Sequence, residues 1–522
     1  MRSSIIMLQG TASDVGKSVI TTALCRIFTQ DGWNTAPFKS QNMANNSYVT
    51  PDGREIGRAQ GVQAEACGKR ATTDMNPILI KPVRDMHSQI VVHGQPYAQM
   101  SAWDYRHDFL PQARPLVMEA LNRLRDQHDM VVMEGAGSPA EINLKDRDIV
   151  NMNLAGWADA PVLLVADIDR GGVFAAIVGT LELLEPHERS QVKGFIINKF
   201  RGDLALLQPG LDWLQQRTGI PVIGVLPYEE NLHLEAEDSV ALQRKSSRPL
   251  PGRELDIVII HYPRISNFTD FDLLEAEPDV SVRYVDHPDQ LGTPDVIILP
   301  GTKDTLGDLE FLQDRGLAEC IKKLHSLRSV QLIGICGGYQ MLGKQLNDPA
   351  GHDSPVPRLA EGLGLLPLST IFASTKTTVH AAGQLNMESA LRIQKNNELQ
   401  PAIIPVQGYE IHMGTTTIEA GASVQSLFHL YRLTDESDSP TSIEDGCILP
   451  DGSVWGTYLH GVFDNDHLRR SWLNSLRQLK GLEPLRETIH GQTRRQEAFD
   501  RLADTVRKHL DMERIYAIAA GR

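Results

Sequence analysis

The sequence predicts two α/β domains, each built on a parallel β-sheet, with a polar linker between them. Three observations indicate this fold class. Short apolar runs alternate with helical stretches, one of these runs leads into a phosphate-binding loop, and another leads into a sharp turn at a cysteine. Continuous apolar runs are typical of strands that helices cover on both faces. We therefore predict a first domain over residues 1–233, a linker over 234–253, a second domain over 254–480 and a helical tail over 481–522.

The predicted strands are the apolar runs themselves. In the first domain they cover residues 5–8, 35–38, 130–133, 162–165, 194–197 and 222–225. In the second domain they cover residues 255–260, 296–299, 331–335 and 454–457, with shorter segments from about 364. Apolar residues recur at helical spacing in the tail, which predicts a docked amphipathic helix; they are Phe499, Leu502, Ala503, Val506 and Leu510.

Composition excludes several classes of protein. The net charge is −15 and no basic stripe stands out, which argues against a nucleic-acid-binding protein. Five widely spaced cysteines without a CxxC motif are neither a disulfide framework nor a zinc site. No apolar run approaches the ~18 residues that cross a membrane, and no leader segment is recognisable. We expect a cytoplasmic protein of unknown oligomeric state with no membrane partner.

A phosphate-binding loop is the first chemical centre. It follows the strand at 5–8 and precedes a helix, and its candidate nucleotide-binding residues are Gly10, Thr11, Ser13, Gly16, Lys17 and Ser18. Loop N–H groups and the helix N-terminus bind phosphate, the lysine reaches the outer phosphates, and the serine hydroxyl coordinates Mg²⁺. Five residues instead of four separate Gly10 from Gly16. The alternative interpretation is an ordinary tight turn.

Polar residues at strand ends extend this centre, because ligands bind at the carboxyl edge of open parallel sheets. Glu134 closes the strand at 130–133, where a carboxylate can hold Mg²⁺ together with Ser18. Asp14, inside the loop, is a third candidate metal ligand. Asn198 follows the strand at 194–197 and is a candidate for binding the nucleotide base. For the two acids, a solvated position without a ligand is the alternative.

Two polar segments are candidates for binding the substrate. One follows the strand at 35–38 and supplies amide side chains; its candidates are Gln41, Asn42, Asn45 and Asn46. The other ends the strand at 162–165 with Asp167 and Asp169, acids that suit Mg²⁺ binding or general-base catalysis. For both segments, an ordinary surface position is an equally good interpretation.

A cysteine in a sharp turn is the second chemical centre. Cys336 lies between the strand at 331–335 and a predicted helix, and the small residues around it allow a nucleophile elbow. The N–H of Gly337, at the start of that helix, is a candidate oxyanion donor. A cysteine nucleophile needs a base. His460, just past the strand at 454–457, is the candidate, and His412 is its competitor.

These motifs resemble known families. The loop, with Glu134-Gly135-Ala136-Gly137, is similar to dethiobiotin-synthetase-like P-loop proteins, which activate carboxylates by phosphorylation. The pairing of Cys336 with His460 resembles class I glutamine amidotransferases. Four further stretches extend the resemblance over nearly the whole chain, to the CobQ/CbiP family of cobyric acid synthases in cobalamin biosynthesis; they lie at 39–47, 65–66, 76–82 and 167–172.

The resemblance implies a glutamine-dependent carboxamide-forming ligase that uses ATP and Mg²⁺. Its implied substrate is adenosylcobyrinic acid a,c-diamide, amidated at carboxylates b, d, e and g to give adenosylcobyric acid. It also implies that Gly301 or Thr302, after the strand at 296–299, donates an N–H to the oxyanion. Most class I amidotransferases carry a glutamate two residues after the histidine, but Val462 stands there in this chain. Either another acid replaces it or Cys336 and His460 work without one.

A polyanionic corrinoid also implies a local patch of positive charge. The candidates for that patch are Lys39, Lys81, Arg84, Arg170 and Arg201. Two alternative functions remain open from the sequence. One is cobyrinic acid a,c-diamide synthase, and the other is a regulatory P-loop ATPase of the partitioning type, which would have no use for Cys336 and His460.

Overall fold

A computed structural model describes residues 3–229, 235, 242, 245–386, 403–433 and 441–521, apart from the side chain of Arg84. Part of the predicted linker, 234–253, lies outside the described residues. Two of its described positions contact the rest of the chain, since Glu235 forms ion pairs with Arg58 and Arg495, and Leu242 is buried. In the described part of the chain, no helix is long and apolar enough to cross a membrane.

The first domain is built on a six-stranded parallel sheet with the order β12-β11-β10-β1-β9-β2. Its strands are β1 (Ser4–Gly10), β2 (Thr35–Phe38), β9 (Met130–Glu134), β10 (Val162–Asp167), β11 (Val192–Phe200) and β12 (Val222–Pro227). Helices cover both faces; they are α1 (Lys17–Gln30), α2 (Arg58–Ala66), α3 (Ala102–Asp104), α4 (Leu110–Gln127), α5 (Met152–Ala158), α6 (Val173–Leu183), α7 (Pro186–Arg189) and α8 (Leu204–Thr218).

Six short strands between β2 and α3 were not predicted. They are β3 (Gln41–Met43), β4 (Ser47–Val49), β5 (Glu55–Gly57), β6 (Ile78–Arg84), β7 (His87–Val92) and β8 (Gln95–Ser101). Four of them form a mixed sheet with the order β3-β6-β7-β8, and β4 pairs with β5. This insertion lies at the carboxyl edge of the main sheet, where it walls the cavity described below.

The second domain contains a six-stranded sheet with the order β14-β13-β15-β16-β24-β23, parallel except for β23. Its strands are β13 (Leu255–Ile260), β14 (Val280–Val285), β15 (Val296–Leu299), β16 (Gln331–Ile335), β23 (Cys447–Ile448) and β24 (Val454–Thr457). The helices around it are α9 (Asp272–Ala276), α10 (Thr305–Asp314), α11 (Leu317–Ser326), α12 (Gly337–Leu342) and α13 (Asp466–Leu479).

A second, largely antiparallel sheet packs into the same core. Its strands are β17 (Gln345–Asp348), β18 (Arg358–Glu361), β19 (Leu368–Leu385), β20 (Pro405–Ile418), β21 (Phe428–Leu433) and β22 (Thr441–Asp445). The long strands β19 and β20 pair with each other, which brings residues 405–418 beside the cysteine turn. The sequence predicted only short segments here, because these strands alternate polar and apolar residues and lack a continuous apolar run.

The tail forms α14 (Gly491–His509) and α15 (Met512–Ala519), as the helical spacing predicted. It follows the second domain in the chain but docks on the first. Phe499 is fully buried in a cluster with Phe28 of α1. Ion pairs flank this contact, with Arg26 2.7 Å from Asp500 and Arg507 2.6 Å from Asp31. The tail therefore ties the end of the chain back to the phosphate-loop helix.

Replacing Phe499 with alanine should destabilise the first domain by about 3–5 kcal/mol, because it leaves a cavity between α14 and α1. The measurement is the midpoint of thermal unfolding, which should fall clearly. Arg501→Ala, on the exposed face of the same helix, is the matched control and should leave the midpoint nearly unchanged. Equal effects of the two substitutions would contradict the docking described here.

Candidate active site

A cavity of about 1280 Å³ opens at the carboxyl edge of the first-domain sheet. The phosphate loop forms one wall, and the β3-β6-β7-β8 sheet and its following helices form another. Four of the six candidate nucleotide-binding residues of the loop line the cavity: Ser13, Gly16, Lys17 and Ser18. Its position is the one at which open parallel sheets bind ligands.

The loop conformation depends on Gly16. This residue has φ +99°, and a Cβ atom there would lie 2.2 Å from Nδ2 of Asn198. That amide donates a hydrogen bond to the carbonyl of Val15 at 2.8 Å. Asn198 does not line the cavity, and the contact that the structure shows for it is with the loop, while its contact with a nucleotide base stays a prediction. Thr11 is likewise fixed by its backbone, whose N–H donates to Val165.

Lys17 joins the loop to the segment after β9. Its Nζ lies 3.1 Å from the carbonyl oxygen of Ala12 and 3.1 Å from that of Gly137. The closely packed Gly10 supports this position, because a Cβ there would lie 3.0 Å from the same Nζ. The ammonium group is therefore held at the mouth of the loop, where a lysine of this motif meets phosphate oxygens.

Glu134 connects the phosphate loop to two neighbouring segments through three hydrogen bonds. Its Oε1 accepts hydrogen bonds from Ser18 Oγ at 2.6 Å and from Lys39 Nζ at 3.0 Å, and its Oε2 accepts one from Gln63 Nε2 at 2.7 Å. The side chain is buried, and Lys39 balances its charge. Lys39, a candidate for a corrinoid-binding patch, thus forms an ion pair with Glu134.

Two predicted metal ligands come together and the third does not. Ser18 and Glu134 present a hydroxyl and a carboxylate side by side, a donor set that fits Mg²⁺, which keeps several waters and takes further oxygens from phosphates. The carboxylate of Asp14 lies instead 3.7 Å from Arg170 at the rim of the cavity. The described residues include no cluster of three or more His, Cys, Asp or Glu side chains that would hold a metal unaided.

The amide segment divides between two places. Gln41 and Asn42 line the large cavity, where Gln41 accepts a hydrogen bond from the Tyr105 hydroxyl and Asn42 donates one to Gln60 at 3.0 Å. Asn45 and Asn46 do not line it. Asn46 is buried at the domain junction, where its Oδ1 accepts a hydrogen bond from the Phe268 N–H at 3.2 Å. The structure therefore gives Asn46 a role in domain contact that the sequence did not predict.

Asp167, the last residue of β10, and Asp169 do not line the cavity either. Asp167 is 2.8 Å from Lys199 and Asp169 is 3.1 Å from Arg201, whose guanidinium stacks over Tyr228. These carboxylates face cations of the neighbouring strand end. Each carboxylate thus has a cationic partner, and the substrate or metal contacts of these two acids stay predictions.

Cys336 occupies a strained turn between β16 and α12. Its φ is 52° and ψ is −110°, a conformation that a non-glycine residue adopts rarely and that is typical of functional sites. Gly338 makes the turn possible, since a Cβ there would lie 1.9 Å from the Leu299 carbonyl oxygen. The Cys336 N–H donates to Thr457 at 2.9 Å, and Sγ lies 3.6 Å from the Ile411 carbonyl oxygen. This is the predicted nucleophile elbow.

His460 is fully buried and its ring is fixed by an acid. Nδ1 lies 2.7 Å from Oδ2 of Asp270, whose Oδ1 accepts the Gly461 N–H at 3.1 Å. Burial opposes the charged ring, but the carboxylate of Asp270 and then the neighbouring Cys336 raise the pKa of His460 to about 10. The ring therefore holds a proton readily while it contacts the cysteine.

Asp270 was missed in the sequence. Val462, where a glutamate was expected, is completely buried in the core, and the acid comes instead from a 3-10 turn at Phe268–Phe271 after β13. No fixed spacing links this residue to His460, which follows 190 positions later. The available signal was weak, since Asp270 is one polar residue in a segment that follows the carboxyl end of a strand.

The predicted oxyanion donors lie close to His460 and to one another. A Cβ on Gly301 would lie 3.1 Å from Cε1 of His460, and a Cβ on Gly337 would lie 3.2 Å from the Thr302 nitrogen. The competing His412 also lines the cavity at Cys336, but it lies 3.3 Å from Glu410 and stacks on Tyr458. Burial lowers the pKa of His412. The geometry therefore favours His460 as the partner of Cys336.

Residues of the first domain contact the site that contains Cys336 and His460. The backbone N–H of Ser47 donates to Oδ1 of Asn267 at 3.0 Å, and Nδ2 of Asn267 lies 3.4 Å from Nε2 of His460. Nearby, Glu55 of the first domain forms ion pairs with Lys81 of its own domain and Lys376 of the second. Lys81, a candidate for the corrinoid-binding patch, therefore lines the cysteine cavity and does not line the large cavity.

Comparisons with known proteins agree with this architecture. Residues 6–240 match the CobQ/CobB/MinD/ParA nucleotide binding domain, and residues 256–468 match the CobB/CobQ-like glutamine amidotransferase domain. These matches confirm the two predicted domain types.

Three relatives, each named cobyric acid synthase, align over almost the whole chain. The protein of Geobacillus sp. (strain WCH70) is 51% identical over 98% of this chain and 96% of its own. That of Desulforamulus reducens is 52% identical over 98% and 97%, and that of Dehalococcoides mccartyi (strain CBDB1) is 50% identical over 98% of both. The chain therefore belongs to the cobyric acid synthase family.

Proposed function

We propose that this enzyme uses ATP and glutamine to amidate carboxylates b, d, e and g of adenosylcobyrinic acid a,c-diamide, giving adenosylcobyric acid. The observation that carries the proposal is the presence, in one chain of this family, of a phosphate loop at a large cavity and a Cys336–His460–Asp270 arrangement at the domain junction. One centre activates a carboxylate and the other releases ammonia.

In the amidotransferase domain, Cys336 attacks the side-chain amide of glutamine. His460 moves the proton to the departing ammonia, and Asp270 holds the ring so that Nε2 faces the cysteine. The N–H groups of Gly337 and of Gly301 or Thr302 stabilise the oxyanion that forms. Water then releases glutamate from the acyl-enzyme.

In the synthetase domain, Lys17 and the loop N–H groups bind the phosphates of ATP. Ser18 and Glu134 would hold Mg²⁺, which would supply positive charge beside the phosphates of ATP. The corrinoid carboxylate attacks that group, and ammonia displaces phosphate from the acyl phosphate. Gln41 and Asn42 line the cavity that would receive the corrinoid.

The two alternative functions are less well supported. Whole-chain relatives named cobyric acid synthase favour carboxylates b, d, e and g over the a and c carboxylates of cobyrinic acid. A partitioning-type ATPase shares the nucleotide-binding domain type, but the elbow at Cys336 and its buried histidine have no part in such a switch.

The decisive experiment is turnover of the purified protein with ATP, Mg²⁺, glutamine and adenosylcobyrinic acid a,c-diamide, with the products followed by mass. Four successive decreases of about one mass unit are expected, since each amidation replaces a hydroxyl with an amino group. ATP hydrolysis without any change in the corrinoid would refute the substrate proposed here.

Cys336→Ser should abolish amidation with glutamine and leave amidation with ammonium salts nearly intact, because only ammonia release needs the thiol. Parallel assays with the two nitrogen donors measure this. Cys320→Ser, at a half-buried cysteine away from the site, is the control and should keep both activities. Loss of both activities in Cys336→Ser would contradict the division of labour between the domains.

Asp270→Asn should lower the turnover number for glutamine hydrolysis about 10²–10⁴-fold, since the amide no longer holds the imidazole in the productive tautomer. It should also shift the limb of the pH–rate profile governed by His460 to lower pH, because the carboxylate helps to raise the pKa of that ring to about 10.

The matched control for this prediction is Asp272→Asn. Asp272 begins the next helix, α9, whereas the groups that chiefly set the pKa of His460 besides burial are Asp270 and Cys336. We expect little change in its glutamine hydrolysis. A pH–rate profile of Asp270→Asn that coincides with the wild-type profile would show that Asp270 does not act on His460.

A further inference from the structure

The cavity at Cys336 is lined by more lysine side chains than carboxylates. Three lysines line it, and they come from both domains: Lys81 from β6, Lys303 from the turn after β15, and Lys376 from β19. Lys81 and Lys376 are almost completely buried, with 5% and 8% of their side chains exposed. Buried charges are costly unless something pairs with them.

One carboxylate serves two of these lysines. Glu55 is 1% exposed and accepts from both Lys81 and Lys376, as well as from Ser47 Oγ at 2.5 Å. Burial opposes its ionisation, but the two ammonium groups hold the pKa of Glu55 well below its usual range. Glu55 therefore stays ionised, and its single negative charge leaves the pair of lysines with a net positive charge.

Lys303 adds a third cation. In the part of the chain that the structure describes, its ammonium group has no hydrogen bond or ion pair with the protein. Burial, and then the nearby Lys376 and Lys81, lower the pKa of Lys303 to about 7, against the opposing effects of Glu55 and Asp353. An anion in the cavity would relieve this imbalance.

We propose that Lys303, supported by Lys376 and Lys81, binds the α-carboxylate of glutamine while the side-chain amide of glutamine lies at Cys336. This assignment rests on the proposed function, in which glutamine is the nitrogen donor. Glutamine carries one carboxylate besides its amide, and the cavity places cations and the nucleophile around the same space. Since Lys81 belongs to the first domain, the synthetase half completes the glutamine pocket of the other half.

The test compares glutamine with L-glutamine amide, in which a neutral carboxamide replaces the α-carboxylate. The wild-type enzyme should prefer glutamine strongly in kcat/KM for hydrolysis. Lys303→Met should lower kcat/KM for glutamine about 10- to 100-fold, mainly through KM, because a charge-assisted contact is lost. Hydrolysis of the amide analogue should hardly change. Lys303→Arg, which keeps the charge, should restore most of the preference.

Lys344→Met is the matched control, since Lys344 is a half-exposed lysine paired with Glu419 at the surface. It should keep the preference of the wild type. Equal losses on glutamine and its amide in Lys303→Met, or a loss in kcat alone, would overturn the carboxylate assignment. If the wild type failed to hydrolyse glutamine at all, the proposed function would fall first and this assignment with it. Ammonium-dependent amidation by Lys303→Met should be retained.

The pH dependence of KM gives a second readout. Above pH 7 the free enzyme loses the proton of Lys303, so KM for glutamine should rise with pH, whereas it should stay flat in Lys303→Arg. A flat profile in the wild type would count against the assignment. The charged and titratable groups that face Lys303 are Glu55, Lys81, Asp304, Cys336, His352, Asp353, Lys376 and His412.

Discussion

The buried carboxylate of Glu55 is the contact on which the two-domain arrangement depends. Glu55 lies on β5, a short strand of the insertion in the first domain. It forms ion pairs with Lys81 of that domain and with Lys376 of the other. Removing it would leave two buried ammonium groups without the opposite charge that pairs with them, which is more costly than losing an exposed ion pair. The junction, the position of Lys81 and the shape of the cysteine cavity therefore depend on one another.

The parallel sheets were predictable because their strands carry continuous apolar runs. Residues 35–38, 255–260, 296–299, 331–335 and 454–457 coincide with strands of the structure. The insertion at 41–101 and the sheet formed by β17 to β22 were not, because their strands are short or alternate polar with apolar residues. Their register is set by tertiary contacts, as in the pairing of β19 with β20. Local pattern carries little information about such pairing.

The candidate sites likewise divide into residues that a local sequence motif indicates and residues that only the fold brings together. Lys17, Ser18, Glu134 and Cys336 could be predicted as candidates because each lies in a local motif whose chemistry requires that residue type. Asp270 and Lys303 were not assigned these roles, because they gain them only when distant segments meet. Conversely, Asp167 and Asp169 have the right residue type at a strand end, but Lys199 and Arg201 already pair with them. Residue type and strand position indicate which edge of the sheet a side chain reaches, but not which charged neighbours it meets there.

The contact between Ser47 and Asn267 has a consequence for domain exchange between related enzymes. It uses the backbone N–H at position 47, so this contact does not itself depend on the side chain, whereas the Ser47 hydroxyl belongs to the cluster around Glu55. The junction at Glu55 is different, since it needs three matched side chains, one of them from the other domain. A chimera that joins a synthetase half to an amidotransferase half with a different residue at 376 would keep the backbone contact beside His460 but carry an unbalanced charge at the junction. Recombination within the family is therefore constrained at the ion pairs more than at the backbone contacts.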